Sequence, residues 1–429
     1  MANAALFTGL WRHRDFMKLW AGQTISMLGS MIGRPAMNFT AILVLHAAPA
    51  QLAVLFAADV VPGLIAGLVA GAWVDRLRRR PIMIAVDVGR ALLLATVPIA
   101  AMAGELHIQQ LYVVAFCVSL LTVFFDVAYQ AYLPALLGNE QLLEGNSKLA
   151  ASSAVAETAG FGVAGVLVGL FTAPITVLID AVSFLASALS IRSIRAPELP
   201  AQRSADESVL REIAAGLKEV LRNPLLRALA LCALTMDIAG GIYGTLVVLY
   251  MTRDLGFSPA ILTPIWAVGG LTSLIAALYV ARITRHLGMG PAIILGVLFS
   301  GIAMLFIPAA TGATVAAACL LIAQQLVGDA AATVAQVNQT SLRQAISPAD
   351  MLGRVGATLH FTRLGAALLG AVIAGLLGEL IGVRATLTIG GVGTMLSALW
   401  LALSPIRAVH AAPAVAASDP DRSELPRDA

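Results

Sequence analysis

The chain has 429 residues, of which 59% are hydrophobic and 12% charged, with a formal net charge of +3 and a mean hydropathy of +0.88. A soluble domain of this size does not carry that much apolar surface, so the composition excludes a water-soluble enzyme or nucleic-acid binder and points to a polytopic membrane protein. Crossing hydrocarbon takes about 20 mainly apolar residues per helix, and no ten-residue alternating segments suggest a β-barrel.

Twelve stretches meet the helical criterion, near 20–45, 52–74, 82–103, 109–133, 148–171, 175–191, 225–251, 260–281, 290–309, 314–341, 357–378 and 385–404. The first is too long for a cleavable leader and is expected to remain as helix 1. Of the 27 Lys and Arg, 22 fall on alternate connections, leaving Arg253 and Arg384 for the other side and Arg34, Arg90 and Arg363 within spans. Basic residues collect in cytoplasmic loops, so both termini are expected inside. Cys117, Cys232 and Cys319 sit in apolar spans without metal-ligand spacing, and the six His are scattered, so neither a metal nor a cofactor is expected.

The second span ends in "GAWVDRLRRRP". The arginines after Val74 suit the negative pole of a helix C-terminus, and Pro81 suits the first turn of helix 3. The polar interval 192–224 contains "LREIAAGLKEVLR", which places Leu210, Ile213, Leu217, Val220 and Leu221 on one helical face, an amphipathic surface helix. The expected organisation is a six-helix bundle over 1–191, this linker, a second bundle over 225–405, and a disordered tail over 406–429. Shifting the chain by 206 lays "GLIAGLVAGAWVDRLRRR" on "GGLTSLIAALYVARITRH" with six identities in eighteen positions, the mark of an internal repeat.

The loop after helix 2 resembles that of the major facilitator superfamily, which carries a Gly, an Asp four residues on, a basic residue and then a basic pair. Here these are Gly71, Asp75, Arg76, Arg79 and Arg80, with Arg78 where the family has Gly. The stretches "FFDVAYQAYLPALL", Asn146 to Gly169, and "VNQTSLRQAISPADMLGRVGAT" resemble the macrolide-efflux and enterobactin-exporter branch. The resemblance implies an all-α membrane protein of twelve helices in two pseudo-symmetric six-helix bundles. It implies a proton-coupled exporter of drugs or amphipathic molecules, working as a monomer in a bacterial inner membrane, without enzymatic activity or nucleic-acid partner. A siderophore or lysophospholipid transporter, or a receptor on the same fold, is the alternative. It also implies a latch between Asp75 and the start of helix 11, near Gly353 and Arg354, formed when the cytoplasmic ends are closed.

Charges inside spans are costly and mark function by default. Arg34, Asp59, Asp126, Glu157 and Asp237 are the candidates for proton coupling or substrate contact, Glu157 and Asp237 lying deepest. Asp87 and Arg90, three apart, are expected to pair near the cytoplasm, Asp180 to be solvated near the outer end of helix 6, and Arg363 to snorkel. Helices 1, 4, 7 and 10 line the cavity in the family, which implicates Asn38, Phe124, Phe125, Tyr129, Tyr243, Tyr250, Gln324 and Gln325. Antiporters of the superfamily usually carry Gly-Pro in helix 5; here Gly160 is followed by Phe161.

Overall fold

In a computed structural model, residues 9–67, 70–74, 77–138, 141–196, 209–348 and 351–411 are described, and every regular element among them is helical. The first half holds α1 (Arg14–Phe39), α2 (Pro49–Ala66), the short α3 (Ala70–Val74), α4 (Arg79–Ala103), α5 (Ile108–Leu137), α6 (Leu142–Phe171) and α7 (Ala173–Arg192). After α8 (Val209–Arg222), the second half holds α9 (Pro224–Leu249), α10 (Pro259–Leu287), α11 (Met289–Met304), α12 (Phe306–Ala309), α13 (Val315–Gln324), α14 (Ala330–Ile346), α15 (Leu352–Leu380) and α16 (Val383–Ala402).

Joined end to end, α2 with α3, α11 with α12 and α13 with α14 make single traverses, so each half contributes six rods. Among the described residues, ten helical runs have both the length and the hydropathy to cross a membrane. Two further helices, α1 and α6, are long enough to cross at 26 and 30 residues. Both pack within the first bundle, α1 lying against α6 and α7.

Helix ends follow local chemistry. Asn223 accepts from the N–H groups of Leu225 and Leu226 at 3.0 and 3.3 Å, with Pro224 as first helical residue of α9. Gly288, at φ +85°, turns the chain between α10 and α11, a left-handed conformation open to glycine. Helix α4 begins at Arg79, two residues before Pro81, the residue expected to open it. The first rod of each half ends in a π-helical turn, Thr40–Val44 and Tyr250–Asp254, and each second rod begins on a proline, Pro49 or Pro259.

The chain start, α8 and the segment after α16 share one face, here the terminal face. Lys18 Nζ donates to the Ser193 carbonyl at 2.7 Å, joining the start of α1 to the exit of α7. The N–H of Gly290 donates to the Val409 carbonyl at 2.7 Å, seating the chain beyond α16 on the α10–α11 turn. Helix α8 docks on the first turns of α15: the Thr358 hydroxyl lies 3.0 Å from the Ile213 carbonyl, and a side chain at Gly216 would collide with the Arg354 carbonyl. Its apolar face is therefore divided, with Val220 buried and Leu217 and Leu221 exposed.

Across the bundles, α2 packs on α15 and α6 on α10. The contacts concentrate far from the terminal face and use small residues. A Cβ on Gly375 would meet Ala53 at 2.8 Å and Ala50 at 3.2 Å, and one on Gly378 would meet Pro49 at 2.8 Å. Gly165 lies directly on the Pro259 carbonyl and Thr263. At the terminal end of α15, by contrast, nothing among the described residues stands within 4 Å of a Cβ built on Gly353 or Gly356. Among the described residues, the inter-bundle contacts thus gather at the far face.

Gly165→Leu is expected to force α6 from α10, because beside the Thr263 hydroxyl it meets the Pro259 carbonyl, which is backbone and cannot yield. Placed beside Thr263→Cys, a position 1% exposed on that contact, it should make that cysteine react several-fold faster with a membrane-impermeant maleimide; an unchanged rate would show that the far face is sealed elsewhere.

Candidate functional site

A cavity of about 1000 Å³ lies between the bundles. The first half lines it from α1, α2, α4, α5 and α7, the second from α9, α10, α14 and the π-helical turn Gln325–Asp329. Most of the wall is apolar or small, including Phe56, Leu94, Val247 and Gly244, with Trp266 on α10. The rings of Trp266 and Phe39 lie 6.4 Å apart across the bundle boundary.

Three charged side chains on this wall have no ion-pair partner among the described residues. Arg34 is exposed on α1, one residue before Pro35. Asp59 is exposed on α2, where the Ser119 hydroxyl donates to its backbone carbonyl at 2.5 Å and leaves the carboxylate unbonded. Asp329 closes the π-helical turn on the opposite wall. With Gln325 it fills the space above Gly269, where any Cβ would displace both side chains. A wider turn at this point re-aims side chains into the cavity, a frequent use of π-bulges.

Two further charged groups of the first half line the cavity but are bonded. Arg90 is 3% exposed, pairs with the fully buried Asp87, and lies 4.5 Å from the Phe125 ring centre and 4.1 Å from that of Phe184. The pair forms as its spacing anticipates, yet it sits about 12–17 Å along α4, deeper than expected. Asp180 is a correction. It is 4% exposed and accepts from Ser30 and Ser183 at 3.1 and 3.3 Å, within the bundle and not in solvent. The cause is a matched stripe: Gly22, Gly29 and Gly33 of α1 sit against Ser187, Ser190, Ser183 and Asp180 of α7, and a Cβ on Gly33 would meet Asp180 atoms at 2.5–2.8 Å. That glycine stripe was a usable signal in the sequence, as was the serine spacing that opposes it.

Of the other candidates, Asp126 is exposed on α5 and lies outside the cavity wall. Asp237 stands 3.5 Å from Arg363 Nε, so Arg363 reaches a carboxylate instead of only snorkelling. The Glu157 side chain lies outside the described residues, as do Asp75 and Arg76 of the expected latch, and the surroundings of Gly71. Arg79 is half-buried at the start of α4. Arg80 donates to the carbonyls of Ile191 and Arg192 at 3.2 and 2.6 Å, capping the C-terminus of α7. Arg354 contacts Met351 Sδ at 3.7 Å, and no atom of the described residues lies within 4 Å of a Cβ built on Gly353.

Among the residues expected to line the cavity, Asn38 and Gln325 are on its wall. The rest are corrected. Tyr243 and Tyr250 are 6% and 3% exposed because their hydroxyls donate to the Met304 and Ala310 carbonyls at 2.5 and 3.0 Å, lashing α9 to the α11–α12 rod. Phe125 is buried beside Arg90 and stacks on Tyr129, while Phe124 packs edge-on against Trp73. Gln324 turns toward Gly328. Aromatic rings in these helices serve packing, which composition does not distinguish from binding.

Two six-rod bundles around a polar-spotted central cavity define a membrane transporter of the major facilitator fold. The Major Facilitator Superfamily model matches residues 19–364, and the chain belongs to that family. It is 27% identical over 393 residues to the MFS-type transporter YfiS of Bacillus subtilis (strain 168), covering 88% of this chain and 90% of that one. It is 28% identical over 346 residues to the multidrug efflux pump Tap of Mycolicibacterium fortuitum, covering 77% and 81%. Macrolide efflux protein A of Streptococcus pyogenes is 27% identical over 220 residues, with the match spanning 50% of this chain and 53% of that protein. Among solved structures, a bacterial homologue of the iron transporter ferroportin in an inward-facing state gives a TM-score of 0.72 at 16% identity, over 91% of this chain and 98% of that one. The nucleoside transporter NupG gives 0.73 at 12% identity, over 91% and 98%. At these identities the structural likeness speaks for the fold alone.

Arg90→Met leaves Asp87 buried without its cation and should cost about 3–5 kcal/mol. Adding Asp87→Leu should restore most of that loss. The unfolding temperatures of the single and double variants in detergent measure both; equal losses would mean the pair contributes packing only.

Proposed function

We propose that this protein is a secondary active exporter that couples proton entry to the expulsion of drugs or other amphipathic small molecules by alternating access. The observation carrying this reading is the central cavity, mostly apolar yet holding the unpaired Arg34, Asp59 and Asp329 on facing walls. An apolar chamber with a few convergent polar groups suits amphipathic cargo; sugars need denser hydrogen bonding. The efflux proteins among its relatives favour the same direction of transport.

In this reading the terminal face is cytoplasmic, since 22 of 27 basic residues belong to that side in a twelve-span arrangement. The described state then opens inward and is sealed outward. Cargo enters from the cytoplasm or inner leaflet. Protonation of the cavity carboxylates Asp59 and Asp329 from outside releases it, and proton loss to the cytoplasm resets the cavity. Glu157 and Asp237 are further stations for the proton, Asp237 when Arg363 swings away. Asp75 with the start of α15 closes the cytoplasmic ends in the outward-facing state. The protein works as a monomer in a bacterial inner membrane, with both termini inside.

Reconstituted vesicles test this. With an acidic lumen and the terminal face outward, a fluorescent amphipathic dye should accumulate and then leak out when the pH difference is collapsed. Asp329→Asn and Asp59→Asn should each lower pH-driven accumulation at least tenfold while sparing energy-independent exchange. Accumulation that ignores the pH difference would exclude proton coupling, and no movement of any member of a drug panel would exclude export.

A further inference from the structure

A second pocket, of about 700 Å³, lies on the terminal face where α1 begins and α7 ends. It is lined by Arg12, Arg14, Lys18, Ser193 and Arg195, with His13 and Asp15. Asp15 is the one carboxylate on this wall, and it is engaged. It accepts from Lys18 Nζ at 2.8 Å and from the N–H groups of Arg195 and Ala196 at 3.2 and 2.9 Å. His13 is engaged as well, its Nδ1 accepting from the Phe16 N–H at 3.0 Å to cap α1.

Three guanidinium groups therefore converge, from two segments about 180 residues apart, with no ion-pair partner among the described residues. Arg12, Arg14 and Arg195 are all exposed. Solvent alone accounts for single arginines at a membrane surface; it does not account for the surface that leads to them.

Leu178, Val182, Leu185 and Leu189 of α7 are 40–67% exposed and fall on one helical face. Arg192, also exposed, continues that stripe to the rim of the pocket. From Leu178 to Leu189 the helix rises about 16 Å, close to one leaflet of hydrocarbon. Trp11, beside the pocket and 38% exposed, has the amphipathic ring favoured at the headgroup level.

We propose that this pocket binds the phosphodiester headgroup of an anionic phospholipid whose acyl chain lies along the α7 stripe. The guanidinium fork matches phosphate oxygens bidentately, and basic pockets beside spanning helices are suited to such headgroups. The lipid lies over the Lys18–Ser193 and Asp15–Ala196 bonds and so braces the joint from which the chain leaves toward α8. This site is separate from the central cavity and does not depend on the transport reading.

The test is thermal unfolding of the detergent-purified chain, titrated with phosphatidylglycerol, phosphatidylcholine of the same acyl chains, or inorganic phosphate. Phosphatidylglycerol should stabilise at concentrations at least tenfold below phosphatidylcholine. Each Arg→Gln change near the surface weakens a headgroup contact about fivefold. Arg12→Gln, Arg14→Gln and Arg195→Gln together should therefore erase the preference, whereas the matching Arg→Lys triple, which keeps the charge and loses the fork, should weaken it without erasing it. Arg253→Gln, on the opposite side, should change nothing. A wild-type chain without preference, or a glutamine triple that retains it, overturns the proposal. Inorganic phosphate that reproduces the stabilisation reassigns the pocket to a soluble anion and overturns the lipid.

Discussion

An arginine within a hydrocarbon-spanning helix must face a partner or a polar space, and Arg34 opens onto the central cavity. On insertion scales a charge at that depth costs about 2.5–3.5 kcal/mol, which a lone helix in lipid has no means to offset. The two bundles offset it by enclosing a cavity, and the same enclosure accommodates Asp59 and Asp329. Arg90 shows the alternative solution within the same bundle: it is taken out of water and held by Asp87, the Thr122 hydroxyl at 3.3 Å and two aromatic faces. One cation is available to a ligand and the other is part of the scaffold, although sequence position alone makes them look alike.

Without an apolar driving force between helices in lipid, close packing decides which helices stay together. The α1–α7 contact is built from glycines against serines and ends at Asp180, so the polar group is tied into the firmest seam of the first bundle. In the second bundle, Gly301 sits on the Met395 backbone and Gly370 on the Ile238 carbonyl, joining α11 to α16 and α15 to α9. Tyr243 and Tyr250 add hydroxyl-to-carbonyl ties between rods. Each bundle is thereby tied across its own helices.

Much of the fold was legible because the membrane imposes one period and one length. The apolar stretches read from the sequence include the ten runs that are long and apolar enough to cross among the described residues, and the family loop after Val74 pointed to the bundle arrangement. What failed were orientations. Tyr243 and Asn38 both sit in first rods of a bundle, yet only the latter reaches the cavity, because a 3.6-residue repeat leaves rotation about the axis open when every face is apolar. Asp180 was misplaced for the same reason: depth was judged from the helix end, whereas its surroundings depend on a glycine stripe in another helix. The π-helical turn that aims Asp329 has no marker in composition. The latch around Asp75 falls outside the described residues, and its role rests on the family resemblance.

The far-face seal contains no ion pair among the described residues; it is glycine and alanine against backbone and proline ring. Dispersion of that kind decays within about an ångström, so such a closure is either complete or absent, and dissolved salt has no purchase on it. The terminal face, crowded with arginines, lies within reach of counter-ions and the Debye layer. The two ends of the central cavity therefore answer to different variables, one to lateral pressure and steric fit, the other to ionic strength and surface potential.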